Sequence, residues 1–283
     1  GALVGLLLLL LASLGGMAAG ILPMWMVRSG DFSAVSSLSA ILGVLHFALA
    51  MVEAIGVVLV MGVSFGAFMG FLIERFRLQP FIVTLAGMFL ARGLCYLISI
   101  DSISITHEGY SELAQWRLPL WEGASLSLGA LIAIAVLLVA LFVAHCTPFG
   151  RSVYAVGGSE HSAVLMGLPV RRTLIGVYTL SGFCSALAGV VFTFYMLSGY
   201  GLHAVGMELD AIAAVVIGGT LLTGGVGYVA GTLFGVLMLG IIQTLISFDG
   251  TLSSWWTRIV VGVLLFAFCL LQRLLSRRSG KAR

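Results

Sequence analysis

The feature that most limits this chain is its supply of apolar segments long enough to cross a bilayer. Such segments fall at residues 1–27, 34–52, 54–73, 81–100, 124–145, 173–198, 207–222, 228–247 and 255–273, and several reach the ~20 residues a membrane helix needs. Charged residues make up 9% of the 283, and apolar residues 60%. A soluble domain carries about 25% charged residues. So many apolar runs leave no polar shell in which to bury them, which excludes a water-soluble fold. The expectation is an all-α, polytopic membrane protein with about eight or nine apolar segments. The 34–73 stretch admits two readings: two helices broken near Glu53, or one helix and a re-entrant piece. The 207–222 segment is short for a complete crossing. Residues 1–27 read as a span rather than a signal peptide, being long and without a basic lead-in.

Basic residues mark cytoplasmic loops. Here they gather as Arg75 and Arg77, then Arg151, Arg171 and Arg172, then the tail Arg273, Arg277, Arg278, Lys281 and Arg283. The intervening loops are acidic: Asp101, Glu108, Glu112 and Glu122 face a single Arg117, with Glu208, Asp210 and Asp249 in later turns. Walking back from the tail, the sides alternate as far as Glu53, which puts the C-terminus in the cytoplasm. Trp116, Trp121, Trp255 and Trp256 fall in or beside the outward loops, where an indole ring suits the headgroup level. Cys95, Cys146, Cys184 and Cys269 form no CxxC pair, so neither a disulfide framework nor a metal site is implied. A GxxxxGK[ST] phosphate loop is absent, which excludes the chain as a P-loop ATPase. An intramembrane enzyme would need a metal motif such as HExxH, or a nucleophile paired with a base, and neither is read here.

Two stretches stand out. Glu208-Leu209-Asp210 opens an apolar segment that closes on Gly218-Gly219-Thr220, and Gly224-Gly225 turns the chain back. Glycine costs about 1 kcal/mol relative to alanine inside a helix in water, but small residues let membrane helices approach closely. The segment therefore reads as a helix packed in protein. The other stretch, 146–172, is the longest basic loop. Ser159 can cap a short helix, Glu160 suits its first turn, and Gly167 followed by Pro169 suits its end. Its apolar residues Ala163, Val164, Leu165 and Met166 need something to pack against, whether the bilayer surface or a cytoplasmic partner. Arg92 lies past the middle of its span and must face protein or water; pairing with Asp101 or a carbonyl is the favoured reading, and a pathway wall the other. Gln243 and Thr244 are expected to hydrogen-bond across helices. His145 and His203 read as interfacial.

The phrase Gly157-Gly158-Ser159-Glu160-His161-Ser162-Ala163-Val164-Leu165-Met166-Gly167-Leu168 resembles the cytoplasmic coupling segment of sugar ABC importer permeases of the ribose, xylose and galactoside type. The block from Glu208 to Thr220, with Gly224-Gly225 and Gly231-Thr232, resembles a second segment of that family, and Thr84-Leu85-Ala86-Gly87-Met88 with Arg92-Gly93 a third. With Phe248-Asp249-Gly250-Thr251-Leu252-Ser253-Ser254-Trp255-Trp256-Thr257, the resemblance is closest to the permease subunit of galactofuranose importers. It covers residues 61–275. Residues 1–60 carry none of the family's usual motif, and 276–283 form a basic cytoplasmic tail.

The resemblance implies an inner-membrane permease that is not itself an enzyme. It would work with a separate ABC ATPase subunit that holds ATP and Mg, a periplasmic sugar-binding protein and a second permease subunit, a heterodimer being favoured. Membrane lipid would surround it, and neither nucleic acid nor a resident cofactor or metal is expected. Gly157, Gly158, Glu160, Ala163, Met166 and Gly167 would couple to the ATPase. Thr84, Met88, Arg92, Glu208, Asp210, Gly218, Gly219 and Thr220 would line or gate the path. The competing reading is an ion-coupled secondary transporter, which would need acids at mid-membrane.

Overall fold

A computed structural model describes residues 32–106, 108–121, 124–201, 203–221, 224–249 and 254–280. The expected span at 1–27, together with Glu122, Lys281 and Arg283, lies outside the described residues. In chain order the elements are α1 (Phe32–Phe76), α2 (Pro80–Ile98), β1 (Ile103–Ser104), α3 (Glu108–Gln115), β2 (Arg117–Trp121), β3 (Ala124–Ser127), α4 (Leu128–Cys146), α5 (Pro148–Gly158), α6 (Glu160–Leu165), α7 (Val170–Met196), β4 (Ser198–Gly199), α8 (Met207–Ile217), α9 (Val229–Asp249) and α10 (Ser254–Gly280).

Among the described residues, six helices are long and apolar enough to cross a membrane: Ala48–Phe76 within α1, Pro80–Ile98, Leu128–Cys146, Val170–Met196, Val229–Phe248 within α9 and Trp255–Gln272 within α10. The polytopic helical class holds, and the count of eight or nine segments is revised by two findings. First, residues 34–52 and 54–73 belong to one continuous 45-residue helix that runs through Glu53 without a break. A lone glutamate is a good helix former and interrupts nothing. Second, α8 has 11 residues, which at 1.5 Å each is about half of the ~30 Å hydrocarbon core.

The chain divides into two compact units. One contains the described parts of Gly1–Phe68 together with Ser104–Leu128 and Thr179–Ser198. Its two helical segments meet through glycine: a Cβ on Gly62 would stand 2.5 Å from the Cβ of Ala186 and 2.6 Å from the carbonyl oxygen of Gly182. Small residues here allow backbone contact, the main device by which membrane helices associate. Around them α3 lays Tyr110 on Phe194, ring centroids 4.8 Å apart, with the Tyr110 hydroxyl 2.6 Å from Thr193 Oγ1. β2 and β3 pair antiparallel, Arg117 opposite Ser127 and Leu118 opposite Leu126. In the same unit Gly62-Val63-Ser64-Phe65-Gly66 matches the letters of a GxSxG nucleophile motif, which sequence reading passed over. That motif acts at a strand-to-helix turn; here it is mid-helix, and Ser64 Oγ donates to the carbonyl of Met61.

The other unit contains Met69–Ile103, Gly129–Tyr178 and Gly199–Arg283 where described. Its core is Ala213, Ala214, Leu239 and Val261, with Ile217 and Leu265 packed against it, so the second half of α8 packs against α9 and α10. Large apolar side chains such as Phe89, Phe142, Phe234 and Phe266 point outward and exposed, an outside that suits lipid rather than water. At one end of this unit Arg171 Nε stands 3.0 Å from Glu74 Oε2, tying the end of α1 to the start of α7.

Candidate functional site

The expected path and coupling residues that the structure gathers all lie in the second unit, strung along α8 from one end to the other. At its entrance Gly206 has a φ of +96°, and α8 begins immediately after it with Glu208 and Asp210 in the first turn. Acids there favour the positive end of the helix dipole. Glu208 uses both oxygens. Oε2 accepts from the Gly206 N–H at 3.1 Å, and Oε1 accepts from the Arg92 guanidinium at 3.0 Å. Its carboxyl is held below the ordinary range, first by hydrogen bonding to its own backbone N–H, against desolvation, with Arg92 and Gly206 adding to the effect. The reading that paired Arg92 with Asp101 is corrected. The arginine points to α8, because Glu208 presents a carboxylate already oriented by the helix start. Asp210 is half-buried in the same turn.

The far end of α8 is a glycine turn. Gly218 and Gly219 follow the last helical residue, and Gly219 takes a φ of +90° that side chains rarely adopt. Gly218 is backed against α9: a Cβ there would lie 2.5 Å from the Gly231 carbonyl oxygen, and a Cβ on Gly235 would run into the carbonyl oxygen of Ala214. A helix ending inside an apolar unit leaves carbonyls without helical partners. The Val216 carbonyl already accepts from the Gly219 N–H at 3.0 Å within the turn, and Gln272 of α10 adds a donor from another helix, its Nε2 lying 3.0 Å from that carbonyl and 3.4 Å from that of Thr220. Sequence reading missed Gln272. A single amide near the end of an otherwise apolar helix was the available signal.

The elbow between α4 and α7 holds two helices where one was expected. Thr147 caps α5 by accepting from the Gly150 N–H, and Pro148 occupies its first turn. Ser159 caps α6 as expected, accepting from the Ser162 N–H at 3.2 Å. Gly167 follows with a φ of +73°. Of the residues expected to couple, Ala163 is fully buried, while Glu160, Met166 and Gly167 are exposed. Val164, Leu165 and Met166 stand 57%, 75% and 65% exposed. Gly157 and Gly158 abut the second glycine pair: a Cβ on Gly157 would stand 3.2 Å from the Gly225 nitrogen, and one on Gly225 3.0 Å from the Gly158 Cα. The elbow and the Gly224–Gly225 turn are thus neighbours.

Two hydroxyls in the spans bond within their own helices. Thr84 Oγ1 donates to the carbonyls of Pro80 and Phe81 in its own helix, at 2.9 and 3.1 Å, and Met88 is half-buried one turn later. Thr244, expected to bond across helices, donates instead to Gly240 of its own helix at 2.7 Å. In an apolar setting the carbonyl four residues back is the nearest acceptor. His145 likewise sits 3.1 Å from the Leu141 carbonyl.

Residues 2–269 match the family described as branched-chain amino acid transport system / permease component. The match includes residues ahead of 61, where the resemblance read from the sequence begins. The chain is 51% identical over 271 residues to the inner membrane ABC transporter permease protein YjfF of Escherichia coli K12, covering 93% of this chain and 81% of that protein. It is 40% identical to the fructose import permease protein FruG of Bifidobacterium longum, covering 87% and 75%. It is 35% identical to the ribose import permease protein RbsC of Escherichia coli K12, covering 88% and 78%. No solved structure matches the chain significantly.

Proposed function

We propose, since this chain belongs to the branched-chain amino acid transport system / permease component family, that it forms the membrane path of an ATP-driven sugar importer. It is a permease subunit and not an enzyme, and ATP is hydrolysed by a separate ATPase subunit. Relatives named for fructose and ribose import favour a sugar as cargo. The residues quoted from 248 to 257 favour galactofuranose among the sugars. A neutral, hydroxyl-rich solute asks for hydroxyls, amides and backbone carbonyls rather than fixed charge. The glycine turn after α8 offers carbonyls, and at the other end Arg92 offsets the charge of Glu208 beside Asp210.

The observation that carries the reading is the elbow. A six-residue helix anchored by one buried alanine displays Val164, Leu165 and Met166 beside Glu160. Such a helix gains from a partner that covers it, and the ATPase subunit is the partner proposed. The elbow and the Gly224–Gly225 turn meet, and Gln272, next to the basic tail, reaches the same turn region. This supports a common cytoplasmic side for the elbow and the C-terminus. On the opposite side a periplasmic binding protein would deliver sugar, and a second, paralogous permease chain would complete the path.

The test is uptake in cells deprived of other routes, with the chain supplied alongside its ATPase, binding protein and second permease. Labelled galactofuranose is expected to enter fastest, with fructose and ribose slower and leucine not at all. Leucine uptake without sugar uptake would overturn the sugar assignment.

A further inference from the structure

The inner end of α8 is held from two sides. On one side the Gln272 amide meets the carbonyls of Val216 and Thr220, 3.0 and 3.4 Å away. These carbonyls flank the Gly218–Gly219 turn, so one side chain staples it. The Val216 carbonyl also accepts from the Gly219 N–H at 3.0 Å, so what the Gln272 amide adds is the link from the turn to α10. On the other side Gly157 of the elbow lies against Gly225, backbone on backbone. A contact of this kind has no flexible side chain to yield, so displacement of the elbow displaces the Gly224–Gly225 turn, which is tied back toward α8 where the Leu221 carbonyl accepts from the Gly224 N–H at 3.0 Å. Beyond the turn, α8 is a short rigid rod whose other end carries the Glu208–Arg92 pair.

We propose that Gln272 is a positioning residue of the transport cycle. It ties the end of α8 to α10, so that a push from the elbow on Gly225 moves α8 as a unit. Without the staple, the two-glycine turn absorbs the push, and the Glu208 end does not follow. This inference rests on the transport reading above.

The test uses the complete complex in proteoliposomes, with labelled galactofuranose, ribose and fructose as probes. Gln272→Leu and Gln272→Glu both remove the donor, since an ionised carboxylate only accepts. Gln272→Lys keeps one. Sugar carried per ATP hydrolysed is expected to fall about tenfold in the first two variants and to stay within about twofold in the third. A merely structural role would lower the yield of assembled complex and leave that ratio alone. A wild-type ratio in Gln272→Leu and Gln272→Glu overturns the proposal. Should Gln272→Leu not assemble, amide exchange in the purified Gln272→Asn chain decides. Faster exchange at Gly218, Gly219 and Thr220 supports the staple, and unchanged exchange overturns it. If the wild-type complex carries none of the probes with ATP present, the transport reading falls and this inference with it. Normal coupling in the variants sinks this inference alone.

Discussion

α8 and α6 lie in the same compact unit and are both short, at 11 and six residues. Neither has the length to be stable by itself in isolation. α8 sinks Ala213, Ala214 and Val216 into the core, and its end is backed by Gly231 and held by Gln272. α6 sinks Ala163 alone and leaves three consecutive apolar side chains in the open. The second half of the first helix is covered by its own chain, while Met207, Leu209 and Ile212 nearer its start are exposed. The second helix is anchored by its own chain but not covered by it. Burial of the small residue and exposure of the large ones is what the proposed docking of an ATPase subunit on α6 requires.

The contrast is broken most severely at the α8–α9 contact. Gly235→Leu would drive a side chain into the Ala214 carbonyl, backbone that cannot move aside. A loss of about 3 kcal/mol or more is expected, read as a lower midpoint of thermal unfolding in detergent. An unchanged midpoint would mean that α8 does not pack closely against α9.

A smaller and more selective effect is expected at α6. Leu165→Asp with Met166→Asp should reduce co-purification of the ATPase subunit about tenfold or more. The unfolding midpoint should barely move, because both side chains are exposed. Ala163→Leu should do the reverse, destabilising the elbow by about 1–3 kcal/mol through overpacking. Equal loss of binding and stability in both variants would erase the distinction between the two helices.

The smallest effect belongs to Arg92 and Glu208. Their side chains remain 31% and 40% exposed, so a double-mutant cycle with alanine should give about 0.2–1 kcal/mol. The lowered folded pKa of Glu208 fixes the sign with pH. Its contribution is complete above the ordinary carboxylate value near ~4.3 and is lost as pH falls through the lowered value. A coupling energy that grows on acidification would contradict the pairing.

Much of this was legible in the sequence, because membrane segments announce themselves by length and apolarity. Ser159 and Gly167 marked the ends of α6, since caps act locally. The acids of Glu208 and Asp210 and the glycines at 218 and 219 marked the ends of α8 for the same reason. What sequence hid is non-local. Arg92 had several acids within reach of a plausible register, and only the fold brings Glu208 rather than Asp101 to it. Gln272 is one amide in an apolar run, and its partners are backbone carbonyls that carry no residue-specific signal. The continuity of α1 through Glu53 was obscured because charge was read as a break, although glutamate is a good helix former. Ala163 was grouped with its exposed neighbours since six residues do not define a face.

The central claim is that a nucleotide-hydrolysing partner, seated on α6, drives solute through this chain. The most direct measurement is uptake of labelled galactofuranose into proteoliposomes holding the complete complex, with ATP, without it, and with ATP but the Leu165→Asp, Met166→Asp chain. Uptake that requires ATP and fails with the altered elbow is the expected result. Full-rate uptake without ATP would contradict the account.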